Sequence, residues 1–516
     1  MARASRCCAP TAADFTPCSS LRRPSPNPVL KTLLARHRLT RYASAAAIGA
    51  SGVLCFAPFG LFWFAPIVWL ALFAQLREAR SARDAALTGL AFGLGFFLTG
   101  VSWVYVSLSV FGGMPWWLAG LAAFLFCSVM ALFPSLAGWL FKRWQPAEVW
   151  RQALFFALLI AAVDWLRGWI FTGFPWLALG YSQAPPSPLA GFAPLLGVYG
   201  LSLIVALSGA LLLRWRSGLA FMALLVSSGF GLQQIPWTTP MGEPISVALI
   251  QGNVPQAMKF RPEAFIRTLN RYRELVEQNP AQLTLLPETA LPAFFDQLPA
   301  DYVESLKATA QAQGGDLILG TLSGDGEHYW NSAISIGSSP LQIYSKTHLV
   351  PFGEMIPPGF SWFMNIASIP MSSFSRGPEK QAPLAVAGQL VAVNICYEDV
   401  FGEEIIGALP QAGILANLSN TAWFGRSLAQ PQHLQIARLR AVETGRPMLR
   451  ATNTGMTAII NADGSIQAVL PPFTEAVLRG EVRAYQGMTP YAHFGNWVFL
   501  LLAGLLFWLS QRRKRI

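Results

Sequence analysis

Three residues able to take part in covalent chemistry each lie at the end of an apolar, strand-like run. Cys396 ends LVAVNIC (390–396), Glu288 ends LTLLPE (283–288), and Lys346 lies just past another strand, in YSKTHLVPFGE. A thiol with an ordinary pKa of about 8.5 is mostly protonated near neutrality, so a cysteine nucleophile needs a base or a cation beside it. Because a strand-to-helix turn presents backbone N–H groups, an oxyanion formed at Cys396 could be stabilised there.

The residues alone leave other interpretations open. Cys396 could be a buried, inert thiol at a strand end, and Glu288 could be a helix N-cap. His348 suggests a Cys–His pair, but a single histidine beside Lys346 is equally well a packed or hydrogen-bonding residue. The shared placement of Cys396, Glu288 and Lys346 at strand ends favours a catalytic site.

The elements that must position these side chains lie between residues 240 and 490. Short β-branched runs predict strands, and amphipathic stretches between them predict helices near 261–278, 300–313, 400–409 and 431–445. The predicted strands are 244–252, 283–288, 316–321, 331–337, 390–396, 413–419 and 457–464. Apolar strands alternating with helices predict an α/β layered domain of about 240 residues, large enough for its own core.

The composition places this module in a membrane protein. Of 516 residues, 53% are hydrophobic and only 12% are charged, whereas soluble domains carry roughly 25% charged residues. This excludes a purely soluble globular protein and also a disordered one, which needs low hydrophobicity and high charge.

Eight apolar stretches predict a polytopic helical domain of about eight spans, since most reach the roughly 20 residues needed to cross a bilayer. They lie near residues 43–58, 61–76, 86–109, 116–141, 152–171, 188–213, 217–233 and 494–511. Any one of them is alternatively a re-entrant or interfacial helix. The predicted organisation is a disordered basic tail (1–42), seven spans (43–233), the module (240–490), an eighth span (494–511) and a basic tail (512–516).

The net charge of +11 is strongly segregated. Residues 240–490 hold 16 basic and 21 acidic residues, and the rest of the chain holds 21 basic and 5 acidic residues. With eight spans, 20 of those 21 basic residues fall on one side of the membrane, and Arg167 is the exception. By the positive-inside rule both termini are cytoplasmic and the module is on the opposite face. Such a pattern argues against a nucleic-acid partner.

Motifs for cofactors are absent from the sequence. The five histidines show no ligand spacing for a metal, and no glycine-rich phosphate loop follows a strand. Cys396 is the only cysteine of the module, so it has no disulfide partner there. We therefore expect neither a metal nor another cofactor.

Several segments carry a family resemblance. PETA, YSKTHLVPFGE and NICYED resemble the Glu–Lys–Cys triad of the nitrilase, or carbon–nitrogen hydrolase, superfamily, and such a module between seven spans and one more is similar to the apolipoprotein N-acyltransferase family. The match extends to the segments RGWIFTGFPW (167–176), GYSQ (180–183), QGNVPQ (251–256), PMSSFSRG (370–377), SNTAWFG (419–425) and TPYAHFGNW (489–497).

The resemblance implies an α-β-β-α sandwich for the module. It makes Glu288 the general base, Lys346 the oxyanion-stabilising cation and Cys396 the nucleophile. It also assigns supporting or substrate-binding positions to Glu354, Tyr397, Glu398 and Phe260.

Two positions depart from the family pattern. Phe260 stands where the family often has Trp, which keeps an aromatic wall but loses an indole N–H. Thr421 stands where the family usually has Asp, so a carboxylate role there is lost.

The implied activity is ping-pong acyl transfer. A phospholipid acyl donor would form a thioester on the cysteine, and the α-amino group of a diacylated apolipoprotein would then accept the acyl chain. The implied location is a bacterial inner membrane, with the module on the periplasmic side. Two alternatives are a membrane-tethered amidase acting on a small amide and a transporter with an external binding domain. The second is disfavoured because the spans contain few ionisable residues.

Overall fold

Two six-stranded mixed sheets form the core of the module. In the first sheet the strand order is β12-β1-β2-β3-β4-β5, and in the second it is β11-β10-β9-β8-β7-β6. Strands β1, β2 and β3 of the first sheet are parallel to one another, and so are β7, β8 and β9 of the second. Antiparallel strands flank each of these groups on both sides. The strands are β1 Thr238–Gln251, β2 Leu283–Leu285, β3 Asp316–Gly324, β4 Tyr329–Gly337, β5 Gln342–Ser345, β6 Leu384–Val386, β7 Gln389–Ile395, β8 Ile414–Ser419, β9 Met448–Thr452, β10 Ala458–Ile460, β11 Ile466–Val469 and β12 Ala476–Gly487.

The computed structural model describes residues 28–259, 261–356 and 374–512, with side chains described from residue 39 onward. Its helices are α1 Pro28–Gly52, α2 Ala65–Arg77, α3 Ala82–Gly100, α4 Val104–Val106, α5 Trp116–Arg143, α6 Val149–Arg167, α7 Ala193–Leu211, α8 Trp215–Gln233, α9 Pro262–Glu277, α10 Ala300–Gln311, α11 Gly402–Ile405, α12 Ala429–Thr444, α13 Pro490–Phe494 and α14 Trp497–Gln511. Residues from Tyr42 onward form one compact unit, so the apolar helices and the module pack against each other.

The facing surfaces of the two sheets share one apolar core, which includes Val247, Leu285, Ile395 and Leu418. The outer face of the first sheet packs on α9 and α10, and the outer face of the second packs on α12. The layers are therefore helix, sheet, sheet and helix, as the resemblance implied. Burial of both faces of each sheet explains the nearly continuous apolar runs of its central strands.

The predicted strands correspond to β1, β2, β3, β4, β7, β8 and β10. Five strands were not predicted, because most are short edge strands and β12 (AVLRGEVRAYQG) alternates apolar with charged residues. The helix predicted near 400–409 is wrong in extent. Only Gly402–Ile405 is α-helical there, and 3-10 turns flank it.

Each of the eight predicted spans coincides with a helix, but the helices differ in length. Within the described ranges, three are long and apolar enough to cross a membrane: α5, α6 and the run Pro188–Leu211. A fourth is possible if α3 and the segment Val104–Phe111, which meet at a bend of 58°, form one span. The runs Phe62–Arg77 and Trp497–Gln511 are shorter apolar helices. By length and composition, the described helical region thus contains three candidate membrane spans, or four if the bent pair is one span.

Small residues allow the apolar helices to approach closely. A Cβ atom on Gly89 would lie 2.2 Å from the carbonyl oxygen of Pro134, and one on Gly95 would lie 1.9 Å from that of Ala46. Helix association in a bilayer depends on such close packing, because lipid supplies no hydrophobic driving force between helices. The glycines of α3 therefore set its distance from α1 and α5.

Candidate active site

The ends of strands from both sheets meet at one edge of the sandwich. Glu288 follows β2, Lys346 follows β5 and Cys396 follows β7, while Asn331 lies near the start of β4 at the same edge. All four side chains are buried, with Lys346 only 1% exposed and Cys396 8% exposed. The three residues predicted from the sequence are thus brought together in one buried cluster.

Cys396 has an unusual backbone conformation. Its φ is +55°, a left-handed value that a non-glycine residue adopts at a cost. The side-chain amide of Asn417 donates a 3.0 Å hydrogen bond to the Cys396 carbonyl oxygen, which helps to hold this turn. The strained turn and the 3-10 turn Cys396–Val400 direct the chain away from the sheet immediately after the thiol.

The Glu288 carboxylate has both oxygens occupied. Its Oε1 accepts hydrogen bonds from Asn331 Nδ2 at 2.8 Å and from Lys346 Nζ at 3.4 Å. Its Oε2 accepts one from the backbone N–H of Asn420 at 2.8 Å. Burial opposes ionisation, but the cations of Lys346 and Lys259 and these donors hold the pKa of Glu288 below its usual value. The carboxylate is therefore ionised and can accept a proton.

Lys346 lies between two carboxylates. Its Nζ is 2.8 Å from Glu354 Oε2 and 3.4 Å from Glu288 Oε1. Burial disfavours the ammonium, but Glu354 and Glu288 together raise the pKa of Lys346 above its usual value. Asn331 also donates to Glu354 at 2.9 Å, so one amide bridges both acids. Lys346 is a permanent cation at the site.

The Cys396 thiol is protonated at rest. Burial raises its pKa, the charge of Glu288 raises it further, and Lys346 and the Asn420 N–H act in the opposite direction. A thiol in this state becomes a nucleophile only when a neighbouring base removes its proton. In the described surroundings of Cys396, the Glu288 carboxylate is ionised and is able to take up such a proton.

Glu398 and Tyr397 support the turn that follows Cys396. Glu398 is 2% exposed and accepts hydrogen bonds from the backbone N–H groups of Thr347, His348 and Ile395. A fourth comes from the hydroxyl of Tyr344 at 2.9 Å. Burial raises the pKa of Glu398 to about 7, and these donors oppose the rise. One carboxylate thus joins the chain after Lys346 to the chain before Cys396.

A second buried network lies behind the turn Cys396–Val400. Asp399 is fully buried and contacts His433 Nε2 at 2.6 Å and Arg450 at 2.8 Å. Arg450 also donates to Asn417, the residue that holds the Cys396 carbonyl. The side chain of His433 packs against the Trp176 ring. This network joins the turn Cys396–Val400 to the segment around Trp176, which precedes the module.

His348 is not paired with Cys396. Its Nδ1 lies 2.7 Å from Glu404 Oε1, its Nε2 lies 2.9 Å from the carbonyl oxygen of Thr172, and its ring stacks on Phe401. Both ring nitrogens are therefore occupied elsewhere. Of the two interpretations of this residue, the structure supports the packed, hydrogen-bonding one.

The segment 167–176 is organised by one buried ion pair. Arg167 contacts Asp164 at 3.0 Å and donates to the carbonyl oxygens of Phe174 and Trp176. Gly173 has a φ of +86°, and a Cβ atom there would lie 2.2 Å from the Gly168 carbonyl oxygen. The segment is thus a fixed surface against which the module packs.

Three site residues were not predicted: Lys259, Asn331 and Asn420. Lys259 is 2% exposed, and its Nζ donates a 3.0 Å hydrogen bond to the Glu288 carbonyl oxygen. Burial lowers its pKa to about 8. The sequence feature that could have identified Asn331 and Asn420 is their position at the ends of predicted strands.

Phe260 lies outside the described residues, as do residues 357–373. Thr421 is buried, and its hydroxyl has no partner among the described residues.

No cluster of three or more His, Cys, Asp or Glu side chains suited to a metal ion occurs in the described part of the chain. The site combines the Cys396 thiol with two buried carboxylates, Glu288 and Glu354, and two buried lysines, Lys346 and Lys259. Such an arrangement can carry out acyl transfer through a covalent thioester.

Comparison with known proteins agrees with this chemistry. The family model of carbon–nitrogen hydrolases matches residues 246–490, so the module is of the carbon–nitrogen hydrolase class. A second model, the N-terminal domain of apolipoprotein N-acyltransferase, matches residues 48–211. The chain belongs to the apolipoprotein N-acyltransferase family.

Individual relatives match over nearly the whole chain. The apolipoprotein N-acyltransferase of Nitrosomonas europaea is 50% identical over 92% of this chain and 99% of that protein. That of Chromobacterium violaceum is 46% identical over 90% of this chain and 92% of that protein. A solved carbon–nitrogen hydrolase from Helicobacter pylori G27 is 18% identical, covering 52% of this chain and 95% of that chain, with a TM-score of 0.35.

Proposed function

We propose that this enzyme transfers an acyl chain from a membrane phospholipid to the α-amino group of the N-terminal diacylglyceryl-cysteine of apolipoproteins. The observation that carries the proposal is the buried cluster of Cys396, Glu288 and Lys346, in which an ionised carboxylate and a fixed cation share one site with a protonated thiol. Family membership supplies the class of donor and acceptor.

In the first half-reaction Glu288 takes the proton of Cys396, and the thiolate sulfur attacks the carbonyl carbon of a phospholipid ester. Lys346 stabilises the negative charge that develops on the carbonyl oxygen. The tetrahedral intermediate then breaks the carbon–oxygen ester bond, and Glu288 returns the proton to the leaving lysophospholipid oxygen. The acyl chain remains on Cys396 as a thioester.

In the second half-reaction the acceptor amine attacks the thioester carbonyl carbon. Glu288 takes a proton from the nitrogen, the carbon–sulfur bond breaks, and the proton goes to the sulfur of Cys396. The products are an amide and the free enzyme. A thioester reacts with an amine more readily than an oxygen ester does, so two moderate steps replace one difficult step.

The proposed topology has eight spans with both termini in the cytoplasm and the module in the periplasm. It is supported by helices at all eight predicted span positions and by the segregation of basic residues onto one side. The proposed domain boundaries are 43–233 and 494–511 for the membrane part and 240–490 for the module. Both substrates are lipids of one leaflet, so they would reach the site by lateral diffusion.

Mass spectrometry of the purified full-length protein, incubated with phospholipid, tests the nucleophile. We expect an acyl adduct on Cys396, no adduct in Cys396→Ala, and an unchanged adduct in Cys127→Ser, where the hydroxyl can replace the thiol that contacts the Phe97 carbonyl. An adduct that survives in Cys396→Ala would contradict the assignment.

The acceptor is tested on the isolated acyl-enzyme. A diacylated lipopeptide with a free α-amino group should discharge the thioester and gain the chain, whereas its N-acetylated counterpart should not. Discharge by water at the same rate as by the lipopeptide would instead indicate a hydrolase.

The topology is tested with single cysteines and a membrane-impermeant maleimide on intact spheroplasts. In a background in which all six native cysteines are replaced, Glu481→Cys in the module should be labelled, and Arg214→Cys between α7 and α8 should be labelled only after permeabilisation. The reverse pattern would overturn the proposed orientation.

A further inference from the structure

The side-chain amide of Asn417 holds the backbone of the residue that carries the thiol. Asn417 lies on β8, opposite Asn394 of the parallel neighbour β7. Its Nδ2 donates to Asn394 Oδ1 at 2.6 Å and to the Cys396 carbonyl oxygen at 3.0 Å. Cys396 has a φ of +55°, and a non-glycine residue keeps a left-handed conformation only where its surroundings hold it. The amide is such a support, on the carbonyl side of the turn.

The orientation of the Asn417 amide is set by a cation. Its Oδ1 accepts hydrogen bonds from Arg450 Nη1 at 2.7 Å and from the hydroxyl of Ser419 at 2.6 Å. An asparagine side chain presents a donor or an acceptor according to how its amide is turned, whereas a guanidinium group can only donate. Because Arg450 cannot accept, it admits the one orientation in which Oδ1 faces Arg450 and Nδ2 faces the Cys396 carbonyl.

Arg450 is held in turn by Asp399. The same Nη1 atom donates to Asp399 Oδ2 at 2.8 Å, and the other oxygen of this carboxylate lies 2.6 Å from His433 Nε2. Arg450 is 1% exposed and Asp399 is fully buried. Asp399 is three residues after the thiol, in the turn Cys396–Val400. Arg450 therefore joins the later part of this turn to the amide that holds its first residue.

The pair Arg450–Asp399 is separate from the reacting groups. Within the described part of the chain, neither residue forms a hydrogen bond or an ion pair with Glu288 or Lys346. A buried pair of opposite charges adds little net stability, because the cost of taking both charges out of water offsets their attraction. The geometry that the pair imposes on its neighbours is therefore the better account of it.

We propose that Arg450 is a positioning residue for Cys396, which it controls through the amide of Asn417. The amide keeps the Cys396 backbone in its left-handed conformation, and this conformation keeps the thiol beside Glu288 and Lys346. Arg450 itself touches no reacting atom. Its role rests on the proposed function, in which Cys396 is the nucleophile.

Arg450→Gln tests this role in the full-length protein, because a glutamine can accept as well as donate and no longer selects the orientation of the amide. In single-turnover incubations at saturating phospholipid, we expect acylation of Cys396 to slow about tenfold, the loss of one hydrogen bond. The phospholipid concentration that gives half the maximal rate should not change. Arg450→Lys should stay within about threefold of the wild type, since both bonds come from one nitrogen and an ammonium can donate both.

Arg446→Gln is the matched control. Arg446 is another fully buried arginine of the module, but it donates to the backbone carbonyl oxygens of Ala412, Gly445 and Gly487. Its replacement should lower the melting temperature, as that of Arg450 does, and leave the acylation rate of the folded protein unchanged. Equal slowing by the two variants would show that Arg450 acts only on stability and would overturn the proposal.

A double-mutant cycle tests the route through Asn417. Asn417→Leu nearly keeps the shape of the side chain and removes its hydrogen bonds, so it should slow acylation about as much as Arg450→Gln. If Arg450 acts through the amide, the double variant Asn417→Leu/Arg450→Gln should be no slower than either single variant. Independent losses that multiply to about a hundredfold would contradict the proposal.

The double variant Arg450→Met/Asp399→Asn is available should Arg450→Gln fail to fold. It removes both charges together and leaves neither buried without its partner, so the protein should fold. Its acylation should also be slow, because Asn417 has lost the cation that turns it. Acylation at the wild-type rate would overturn the proposal.

The activated ester 4-nitrophenyl acetate separates this role from the identity of the acyl donor. Glu288 takes the thiol proton, the Cys396 sulfur attacks the carbonyl carbon, and 4-nitrophenolate leaves as the carbon–oxygen bond breaks. The burst of nitrophenolate should be about tenfold slower in Arg450→Gln than in Arg446→Gln. That difference without any acyl adduct from phospholipid would contradict the proposed function alone. Equal bursts in the two variants would overturn the positioning role.

Discussion

The hydroxyl group of Tyr397 donates a 2.9 Å hydrogen bond to the carbonyl oxygen of Gly173. Tyr397 directly follows the proposed nucleophile, and Gly173 belongs to the segment that leaves α6. A second bond of the same kind runs from the hydroxyl of Tyr181 to the carbonyl oxygen of Val400 at 3.2 Å. The turn Cys396–Val400 is therefore held near both ends by residues that precede the module.

Tyr397→Phe removes this hydrogen bond and keeps the ring. We expect the rate of Cys396 acylation to fall by about two- to tenfold, because one neutral hydrogen bond contributes about 0.5–1.5 kcal/mol. Tyr302→Phe is the matched control, since the buried hydroxyl of Tyr302 has no partner among the described residues. Equal rates for Tyr397→Phe and the wild type would show that the bond has no positioning role.

Glu288→Gln keeps the size of the side chain and removes the base. We expect single-turnover acylation to fall by about 10²- to 10⁴-fold, the usual contribution of a general base. Stopped incubations followed by mass spectrometry of the Cys396 peptide would measure it. Glu304→Gln, on an exposed face of α10, should acylate at the wild-type rate. A rate for Glu288→Gln within threefold of wild type would assign the base to another group.

Lys346→Met removes the cation that faces the developing oxyanion. Loss of one oxyanion partner costs about 10²- to 10³-fold in rate. The same change leaves Glu288 and Glu354 buried without their cation, so thermal stability should also fall.

The double variant Lys346→Met/Glu354→Gln separates these two effects. Removing one carboxylate relieves the uncompensated buried charge, so the melting temperature should recover towards that of the wild type while acylation stays slow. Recovery of both together would indicate that Lys346 acts only on stability.

Lys259 predicts a pH dependence of stability. Its pKa falls from 10.5 to about 8 on folding because the ammonium is buried. Below pH 8 the folded state holds a buried charge that the unfolded chain exposes to water, which costs roughly 3 kcal/mol. Between pH 8 and 10.5 the unfolded chain binds the proton and the folded chain does not, so this penalty disappears as the pH rises.

The measurement compares the melting temperatures of wild type and Lys259→Met from pH 7 to pH 10. The wild type should gain stability relative to the variant across this interval, since the other titrating groups are common to both proteins. A constant difference would show that Lys259 keeps its proton throughout.

Two of the three strands that precede the proposed catalytic residues, β2 and β7, were predicted from the sequence, whereas β5, which precedes Lys346, was not. β2, β7 and β8 are buried on both faces, so they appear as continuous apolar runs, and the polar residue that ends each run is conspicuous. The resemblance then assigned Glu288, Lys346 and Cys396 their roles, and the structure brings the three residues together.

Other parts of the site could not be predicted, because they depend on tertiary contacts. Nothing local in QGNVPQAMK shows that the side chain of Lys259 reaches the backbone of Glu288, 29 residues later. The pairing of His348 with Glu404 likewise joins two segments that only the fold brings together. Edge strands such as β5 and β6 pair with only one neighbouring strand of their sheet. Their sequences therefore lack the continuous apolar run of a strand that is buried on both faces.

The first and last strands of the module, β1 and β12, run antiparallel side by side, with Thr238 opposite Gly487. Helix α8 ends at Gln233 just before β1, and α13 begins at Pro490 just after β12. The module is thus joined to α8 and α13 by two short, adjacent stalks. In the proposed topology, two short stalks hold the Cys396 sulfur at a set height above the membrane. Lengthening both stalks equally, without changing any side chain of the site, would alter which carbonyl along a lipid comes within its reach.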